Sequence, residues 1–288
     1  MELKAISCLI YLIAAPILGG LLSGIDRKLS ARMQGRRGPS LMQPFWDILK
    51  LREKEDVTVN SHQDFYVKGF FLFVVISGCI FFTGGDLLML TFTLTLANVF
   101  LVVAAYSSNS AFAELGAERE LLQMMAYEPM VLFTAIGFYL LKGSFRVEDI
   151  VNGTFISFPY MIGVFIGFLF ILTIKFRKSP FDLSMSHHAH QELVSGLKTE
   201  FSGKTLALLE LAHWYENIFL LGIVSLFFMN GRESGYILGV SLALVSFIFE
   251  SFVDNSFARM KYQAALKYSW IVTITLGFFN ICVLSFMR

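Results

Sequence analysis

Charged residues and cysteines are scarce in this 288-residue sequence. Asp, Glu, Lys and Arg make up 16% of it and sum to a net charge of +1, so charge gives no reason to expect a nucleic-acid partner. The three cysteines, Cys8, Cys79 and Cys282, stand singly in apolar segments, which excludes a CxxC cradle and argues against structural disulfides. The sequence also lacks a GxGxxG turn after a strand and a Walker loop. Any redox centres that serve this chain therefore belong to other subunits.

Apolar residues dominate instead. They make up 56% of the chain, 31 of them are Phe, and the mean hydropathy is +0.65, far above that of a soluble domain of this length. A membrane-spanning helix needs about 20 mostly apolar residues, so the sequence predicts an all-α polytopic membrane protein with residues 1–288 in one domain. Eight spans are predicted, namely Ala5 to Ile25, Tyr66 to Phe82, Leu87 to Tyr106, Leu121 to Leu141, Phe158 to Phe176, Thr205 to Met229, Tyr236 to Val253 and Tyr268 to Met287. The first lacks a basic n-region and is too long for an h-region, so we interpret it as a retained helix.

The distribution of basic residues predicts the orientation of these spans. Most of the 23 Lys and Arg residues lie in, or at the margins of, the connections after spans one, three, five and seven. Cytoplasmic loops carry such an excess. We therefore predict that these connections are cytoplasmic and that both termini lie outside the cytoplasmic membrane.

The first cytoplasmic connection, Asp26 to Phe65, contains a predicted interfacial helix. Its apolar residues recur with helical spacing and its polar residues fall on another face: Leu41, Phe45, Ile48 and Leu49 against Asp47, Lys50 and Lys54. This pattern is typical of an amphipathic helix at the membrane surface. The basic block before it, Arg27 to Arg37, is accounted for either by topology and lipid headgroups or by a docked partner.

The segment from Arg32 to Glu55 reads RMQGRRGPSLMQPFWDILKLREKE. It resembles the signature of the quinone-site membrane subunit of respiratory complex I, which joins the peripheral arm to the membrane arm. Subunits of membrane-bound NiFe hydrogenases related to complex I share the signature. The matching residues are Gln34, Arg37, Gly38, Pro39, Gln43, Pro44, Asp47, Lys50, Leu51, Lys54 and Glu55. The resemblance implies that this segment docks a peripheral arm.

A second matching segment places an acidic residue inside a predicted span. It reads GAERELLQMMAYEPM, from Gly116 to Met130, and matches the family at Gly116, Ala117, Arg119, Gln123 and Glu128. A carboxyl group at the depth of Glu128 costs a few kcal/mol, so this residue is a candidate for proton transfer. Pro129 leaves a carbonyl one turn earlier without its backbone donor, which favours a kink and a wet pocket. The alternative is that Glu128 pairs with an arginine and only fastens helices.

The polar connection from Arg177 to Gly203, here called the central loop, carries the family's most specific pattern. It matches at Arg177, Pro180, Phe181, Asp182, Leu183, Glu192, Leu193, Val194, Gly196, Glu200, Phe201, Ser202 and Gly203. In complex I this loop walls the quinone cavity and begins an acidic path into the membrane arm. A loop this rich in ionisable groups is expected to be functional.

Between its two halves the central loop departs from the complex I pattern. The complex I family has a short acidic link there, whereas this chain has SMSHHAHQ, from Ser184 to Gln191. The histidine version resembles Ech-type energy-converting hydrogenases, and the departure puts quinone binding in doubt. Imidazoles titrate near neutral pH, so His187, His188 and His190 suit proton transfer or a pH-sensitive contact. Metal ligation by His187, His190 and Glu192 and a simple polar surface are the alternatives.

The sixth predicted span has the densest intramembrane polarity. Glu210, His213 and Asn217 follow one another at helical spacing, with Glu216 alongside. Such a stripe is expected to face the interior of the bundle or a water-filled path. A bis-histidine haem is excluded because His213 is the single histidine within a predicted span. Glu250 and Asp254, at the end of the seventh span, are assigned to topology and subunit contact.

These residues form two predicted groups. The proton-transfer group is Glu128, Asp182, Glu192, Glu200, Glu210, His213 and Glu216. The peripheral-arm interface is Arg32, Arg36, Arg37, Gln43, Asp47, Lys50, Lys54, Arg119, Arg177, His187, His188 and His190.

The resemblance implies a membrane-anchoring and proton-coupling subunit of a ferredoxin-dependent energy-converting NiFe hydrogenase, linking electron transfer to H⁺ or Na⁺ translocation. The chain itself is expected to carry no catalytic residue, metal or cofactor. The NiFe centre and 4Fe–4S clusters are expected in the hydrogenase large and small subunits and the iron–sulfur subunits, beside an antiporter-like membrane subunit. The alternatives are a quinone-binding subunit of an NADH:quinone oxidoreductase and a passive anchor of a formate-linked hydrogenase. A free-standing transporter would have no need for the docking surface.

Overall fold

The structure is a computed structural model that describes residues 2–55, 61–184, 193 and 195–287. Within these ranges every regular element is a helix. In chain order they are α1 (Glu2–Met33), α2 (Gln43–Glu53), α3 (Ser61–Phe82), α4 (Leu87–Tyr106), α5 (Ala111–Lys142), α6 (Val147–Val151), α7 (Ile162–Lys175), α8 (Gly203–Leu226), α9 (Glu233–Ser256), α10 (Tyr262–Val272) and α11 (Phe279–Met287). A π-helical segment, Thr273–Phe278, joins α10 to α11 in one continuous rod. The predicted all-α polytopic fold is confirmed.

Seven helices in the described part of the chain are long and apolar enough to cross a membrane: α1, α3, α4, α5, α8, α9 and the α10–α11 rod. The eighth predicted span, Phe158 to Phe176, corresponds to α7, which has 14 residues and is about 21 Å long. This is shorter than the hydrocarbon layer of about 30 Å. In the opposite sense α5 begins at Ala111 rather than Leu121, and its 32 residues carry it beyond the predicted span.

Local chemistry accounts for several helix ends. The carboxylate of Asp86 precedes α4 and accepts hydrogen bonds from the backbone N–H groups of Leu88 and Met89. Gly143 ends α5 in the left-handed conformation (φ 77°), where a residue without Cβ is favoured. Pro44 lies in the first turn of α2, where a missing N–H costs no helical hydrogen bond.

The described part of the central loop is packed inside the protein, where the sequence suggested a polar connection on the cytoplasmic side. Phe181, Leu183, Leu197 and Phe201 are all buried. At least one of its backbone carbonyl groups is satisfied from a surrounding helix: the side chain of Gln123 on α5 donates to the carbonyl of Phe181 at 2.6 Å. Irregular backbone at this depth is stable because protein surrounds it. The loop therefore occupies the space that the short α7 leaves open.

Helix α2 packs partly on α8 and partly faces outward. The ring of Phe45 meets that of Trp214 edge to face, with 5.2 Å between centroids. Leu41 lies before the helix begins and is exposed, as are Trp46 and Leu49. The predicted amphipathic face is thus only partly covered, which suits a helix at the membrane surface. We call the end of the bundle that carries α2 and the central loop the loop end.

Two of the scattered cysteines meet in the fold. The Sγ atoms of Cys8 on α1 and Cys79 on α3 lie 2.9 Å apart, and both thiols are free. Their proximity could not be expected from the sequence, because 71 positions separate them.

Candidate functional site

A turn at the end of α7 brings two basic residues into the bundle. Lys175 ends the helix, and Arg177 follows in the left-handed conformation (φ 53°), which is uncommon for a residue with a side chain. This backbone geometry is typical of positions held by surrounding structure at functional sites. It directs the Arg177 side chain towards α5 and α8.

Arg177 connects α5 to α8. Its Nη2 atom lies 3.3 Å from Oε1 of Glu120, and its Nη1 atom contacts Nε2 of His213. The other ring nitrogen of His213, Nδ1, lies 3.5 Å from Oε2 of Glu216, one turn further along α8. Side-chain exposure is 13% for Arg177 and 7% for Glu120, so these contacts are formed away from solvent.

Lys175 extends the same contacts towards α4. Its Nζ atom lies 3.4 Å from Oε1 of Glu216 and donates to the hydroxyl oxygen of Tyr127 at 3.0 Å. The amide of Asn98 donates to the same hydroxyl at 3.1 Å. Lys175 and Glu216 are almost completely buried.

The result is one continuous line of contacts, here called the buried chain, made of Glu120, Arg177, His213, Glu216, Lys175, Tyr127 and Asn98. It contains two cations and two carboxylates, so it is electrically balanced when its histidine is neutral. Balance matters because an unpaired buried charge costs several kcal/mol. A proton or an electron arriving nearby therefore changes the energy of every member.

Glu128 lies beside the inner end of the buried chain. A cavity of about 80 Å³ is bounded by Asn98, Tyr127, Glu128 and Lys175, together with Thr91 and Thr95. The Oε1 atom of Glu128 is buried and accepts no hydrogen bond from the described residues. A polar cavity of this size has room for water. It lies where the sequence predicted a pocket next to Glu128.

Three other predicted proton-transfer residues lie outside the buried chain. Glu210 is one turn before His213 and pairs with Lys198 of the central loop at 3.5 Å. Asp182 is buried and lies 3.7 Å from Arg259, in the connection between α9 and α10. Glu200 is half-buried, shortly before α8 begins. Glu192 and the histidines at 187, 188 and 190 lie outside the described residues, and the metal-ligand alternative for them lies there too.

Four members of the buried chain were not singled out from the sequence: Asn98, Glu120, Tyr127 and Lys175. Each carried a signal. Glu120 and Tyr127 are seven residues apart and share one face of α5, and Asn98 is an isolated amide in an apolar helix. Within the described residues no group of three or more His, Cys, Asp and Glu is placed to hold a metal ion.

The predicted interface residues divide into exposed and internal sets. The exposed set, at the loop end, is Arg32, Arg36, Arg37, Lys50 and Lys54. Arg119 lies over the ring of Tyr262, at 5.7 Å from its centroid. Arg177 was predicted to face a peripheral arm, but its side chain belongs to the buried chain instead.

Asp47 and Gln43 tie α2 to α1. Nη1 of Arg27 on α1 lies 2.5 Å from Oδ2 of Asp47, and the Gln43 amide donates to Oδ1 at 2.9 Å. Partial burial opposes ionisation of Asp47, but these two hydrogen bonds and the charges of Arg27 and Lys50 outweigh it and lower the pKa of the carboxyl group. The pair thus holds the exposed residues of α2 in place.

A larger cavity, of about 960 Å³, lies between α1, α2, α3 and α8. Its walls are mostly apolar and include Ile17, Ile48, Leu211 and Trp214. Arg52, Lys68, Lys204 and Asp64 also line it. Its size and lining suit a bulky apolar molecule with a polar end.

The fold and the buried chain define a polytopic α-helical membrane protein that carries a line of paired charges at membrane depth. The family model for NADH dehydrogenase matches residues 6–285. The chain belongs to that family, and the resemblance to the complex I membrane subunit is confirmed.

Relatives in two kinds of oxidoreductase complex are similar to the whole chain. A membrane component of the NADH-quinone oxidoreductase of Cereibacter sphaeroides is 30% identical over 99% of this chain and 97% of its own length. Hydrogenase-4 component C of Escherichia coli is 29% identical over 88% of each chain. The solved structure of the membrane-bound sulfane sulfur reductase, an archaeal respiratory membrane complex, contains a chain with a TM-score of 0.84 and 25% identity, covering 99% of both chains. The chain is thus a membrane subunit of the complex I-like and hydrogenase-type class.

Proposed function

We propose that this chain anchors the peripheral arm of a ferredoxin-dependent, Ech-type NiFe hydrogenase to the membrane and couples its electron transfer to ion translocation. The buried chain is the observation that carries the proposal. It begins at Arg177, at the start of the central loop, and reaches Asn98 on α4, beside the cavity at Glu128. Such a line of buried ionisable groups is costly to maintain unless it has a function.

Two further observations support the hydrogenase assignment. The similarity to Hydrogenase-4 component C extends over 88% of the chain. The segment SMSHHAHQ replaces the acidic link of the complex I family with histidines, although it lies outside the described residues. The partners we propose are the hydrogenase large and small subunits, iron–sulfur subunits that hold the NiFe centre and 4Fe–4S clusters, and an antiporter-like membrane subunit.

The coupling step follows from the charges of the buried chain. Arg177 has only N–H donors, so the ring nitrogen of His213 that it contacts accepts, and the proton on the neutral ring resides on Nδ1, facing Glu216. When His213 takes up a second proton, its positive charge repels Arg177 and favours the pairing of Arg177 with Glu120. Reduction of a nearby cluster in the peripheral arm attracts cations towards the loop end. Electron arrival and proton uptake at His213 therefore favour the same arrangement.

The proposed function is tested by isolating the complex through a tag on this chain. Nickel and iron are determined, together with hydrogen evolution from reduced ferredoxin and ion uptake after reconstitution into vesicles. Nickel, hydrogen evolution and an ion gradient are expected. Nickel and hydrogen evolution without an ion gradient would show a passive anchor, as in the formate-linked alternative.

A second function, as the quinone-binding subunit of an NADH:quinone oxidoreductase, is favoured by the 960 Å³ cavity. Its apolar walls would hold a quinone tail, and Arg52, Lys68 or Lys204 would face its polar end. Iron without nickel, with quinone reduction by the same preparation, would establish this function and reject the hydrogenase proposal.

A further inference from the structure

Glu250 is completely buried in α9, where the sequence suggested only a contact with another subunit. Its exposed fraction is 0%. Among the described residues, none donates a well-formed hydrogen bond to either of its carboxyl oxygens. The hydroxyl of Thr173, on α7, faces Glu250 but is turned to the carbonyl oxygen of Leu169. A carboxylate so placed would lack compensation, since burial of an unpaired charge costs far more than burial of the neutral acid.

Lys178 is the cation next to Glu250, but its hydrogen bonds go elsewhere. Its Nζ atom donates to Oδ1 of Asp26 on α1 at 2.5 Å and to Oγ of Ser251 at 2.9 Å. Ser251 directly follows Glu250 and also donates to Asp26. The charges that face Glu250 are Lys178 and Asp254, with Asp26 behind the lysine. Lys178 is balanced by Asp26, so a negative Glu250 would be in excess.

An alternative partner for each group lies within the same cluster. Asp26 is 28% exposed and can be solvated without Lys178. Asp254 is one turn beyond Glu250 and half-buried, and its Oδ1 atom accepts the backbone N–H of Ser179 at 2.8 Å. It therefore lies between Glu250 and the solvent at the loop end.

The same backbone segment also anchors the buried chain. Lys175 and Arg177 extend into the buried chain between α5 and α8, whereas Lys178 extends to α1 and α9. A displacement of this segment therefore changes charge pairing on both sides at once. This shared anchor connects Glu250 to the coupling step and rests on the proposed function.

We propose that Glu250 is a second proton-exchange site, whose occupancy is set by the position of Lys178. While Lys178 pairs with Asp26, Glu250 holds a proton. When Lys178 moves from Asp26 to Glu250, the O–H bond of the acid breaks, the proton passes to the Asp254 carboxylate, and the Glu250 carboxylate pairs with the lysine. Asp254 then releases the proton to water.

Infrared difference spectroscopy on the oxidised and reduced complex tests this inference. The carbonyl stretching band of a protonated carboxylic acid, sensitive to deuterium, is expected in the difference spectrum. It should be lost in Glu250→Gln and retained in Glu233→Gln, an exposed glutamate at the opposite end of α9. Lys178→Gln should also remove the difference band, because Glu250 then stays protonated in both states. A difference band that persists unchanged in Glu250→Gln overturns the inference.

A second variant guards against failed assembly. Glu250→Asp keeps the acid and should shift the band rather than abolish it; an unshifted band would also reject Glu250 as its source. Ion pumping by Glu216→Gln tests the proposed function separately. Unchanged pumping in that variant rejects the buried chain as the route, whereas the Glu250 band alone decides this inference.

Discussion

The guanidinium group of Arg177 contacts the imidazole of His213, 36 positions further along the chain, and on its other side pairs with Glu120. A cation that touches a neutral histidine and a carboxylate has two competing partners. Which one it prefers depends on whether His213 is protonated. The Arg177 side chain is therefore the element with two arrangements that coupling requires.

The Arg177–Glu120 pair should show strong coupling in a double-mutant cycle. Arg177→Gln leaves the Glu120 carboxylate buried and unpaired, which should destabilise the protein by about 3–5 kcal/mol. Adding Glu120→Gln removes that charge and should restore much of the loss. Thermal unfolding of the isolated complex measures both effects. Additive losses in the double variant would show that the two groups do not interact.

Glu128→Gln should lower ion pumping while hydrogen evolution with an artificial electron donor stays near the wild-type level. The substitution preserves the shape of the side chain beside the 80 Å³ cavity but removes its exchangeable proton. The matched control is Glu118→Gln, an exposed position on the same helix, which should leave both rates unchanged. Equal loss of pumping and hydrogen evolution in Glu128→Gln would contradict a role in proton transfer.

Gly116→Ala should loosen the packing of the central loop on α5. A Cβ atom at position 116 would overlap the backbone of Gly196 and Leu197. Overpacking of this kind typically costs about 1–3 kcal/mol, measurable as a lower midpoint of thermal unfolding. Ala113→Gly, a cavity-forming change on the same helix, helps to separate loop displacement from loss of helix propensity. Wild-type stability in Gly116→Ala would mean that the loop does not approach α5 as described.

Asp47→Asn should weaken the attachment of α2 to α1 at neutral pH. The pKa of Asp47 is lower in the folded protein than its ordinary value of 3.8. Its stabilising effect is therefore complete at pH values above that ordinary value and is lost as the pH falls through the lowered one. The pair is partly exposed, so its contribution is about 0.2–1 kcal/mol.

Amide hydrogen exchange within α2 measures this effect. Exchange should be faster in Asp47→Asn than in the wild type at neutral pH, and the two should converge in strong acid. Glu53→Gln, at an exposed position of α2, is the control. Equal exchange at neutral pH in Asp47→Asn and the wild type would show that the Arg27–Asp47 pair does not hold the helix.

Much of the fold could be predicted because membrane helices follow from hydropathy alone. The predicted starts and ends of α4 agree with the structure, and the predicted end of α3 does too. The short α7 could not be predicted, because Phe158 to Met161 is as apolar as the helix it precedes. What shortens the helix is packing: the buried residues of the central loop take up the remaining depth.

The candidate site could be predicted only in part. His213 and Glu216 stood out because ionisable residues in an apolar helix are rare, and both lie in the buried chain. Lys175 did not, because a lysine at the end of a span is usually a marker of topology. Its pairing with Glu216 depends on where α7 stops and how α8 faces it.

Apolar length and motif spacing are local properties, so the amino-acid order alone was enough to establish a helical membrane protein of the NADH dehydrogenase family. Which charges meet depends instead on how neighbouring helices pack and on their rotation. Arg177 and Glu120 are 57 positions apart, Lys175 and Glu216 are 41 apart, and Lys178 and Asp26 are 152 apart. Pairing across such separations leaves no trace in a linear pattern. For the same reason the burial of Glu250, and the reach of one loop segment to both clusters, emerged only from the fold.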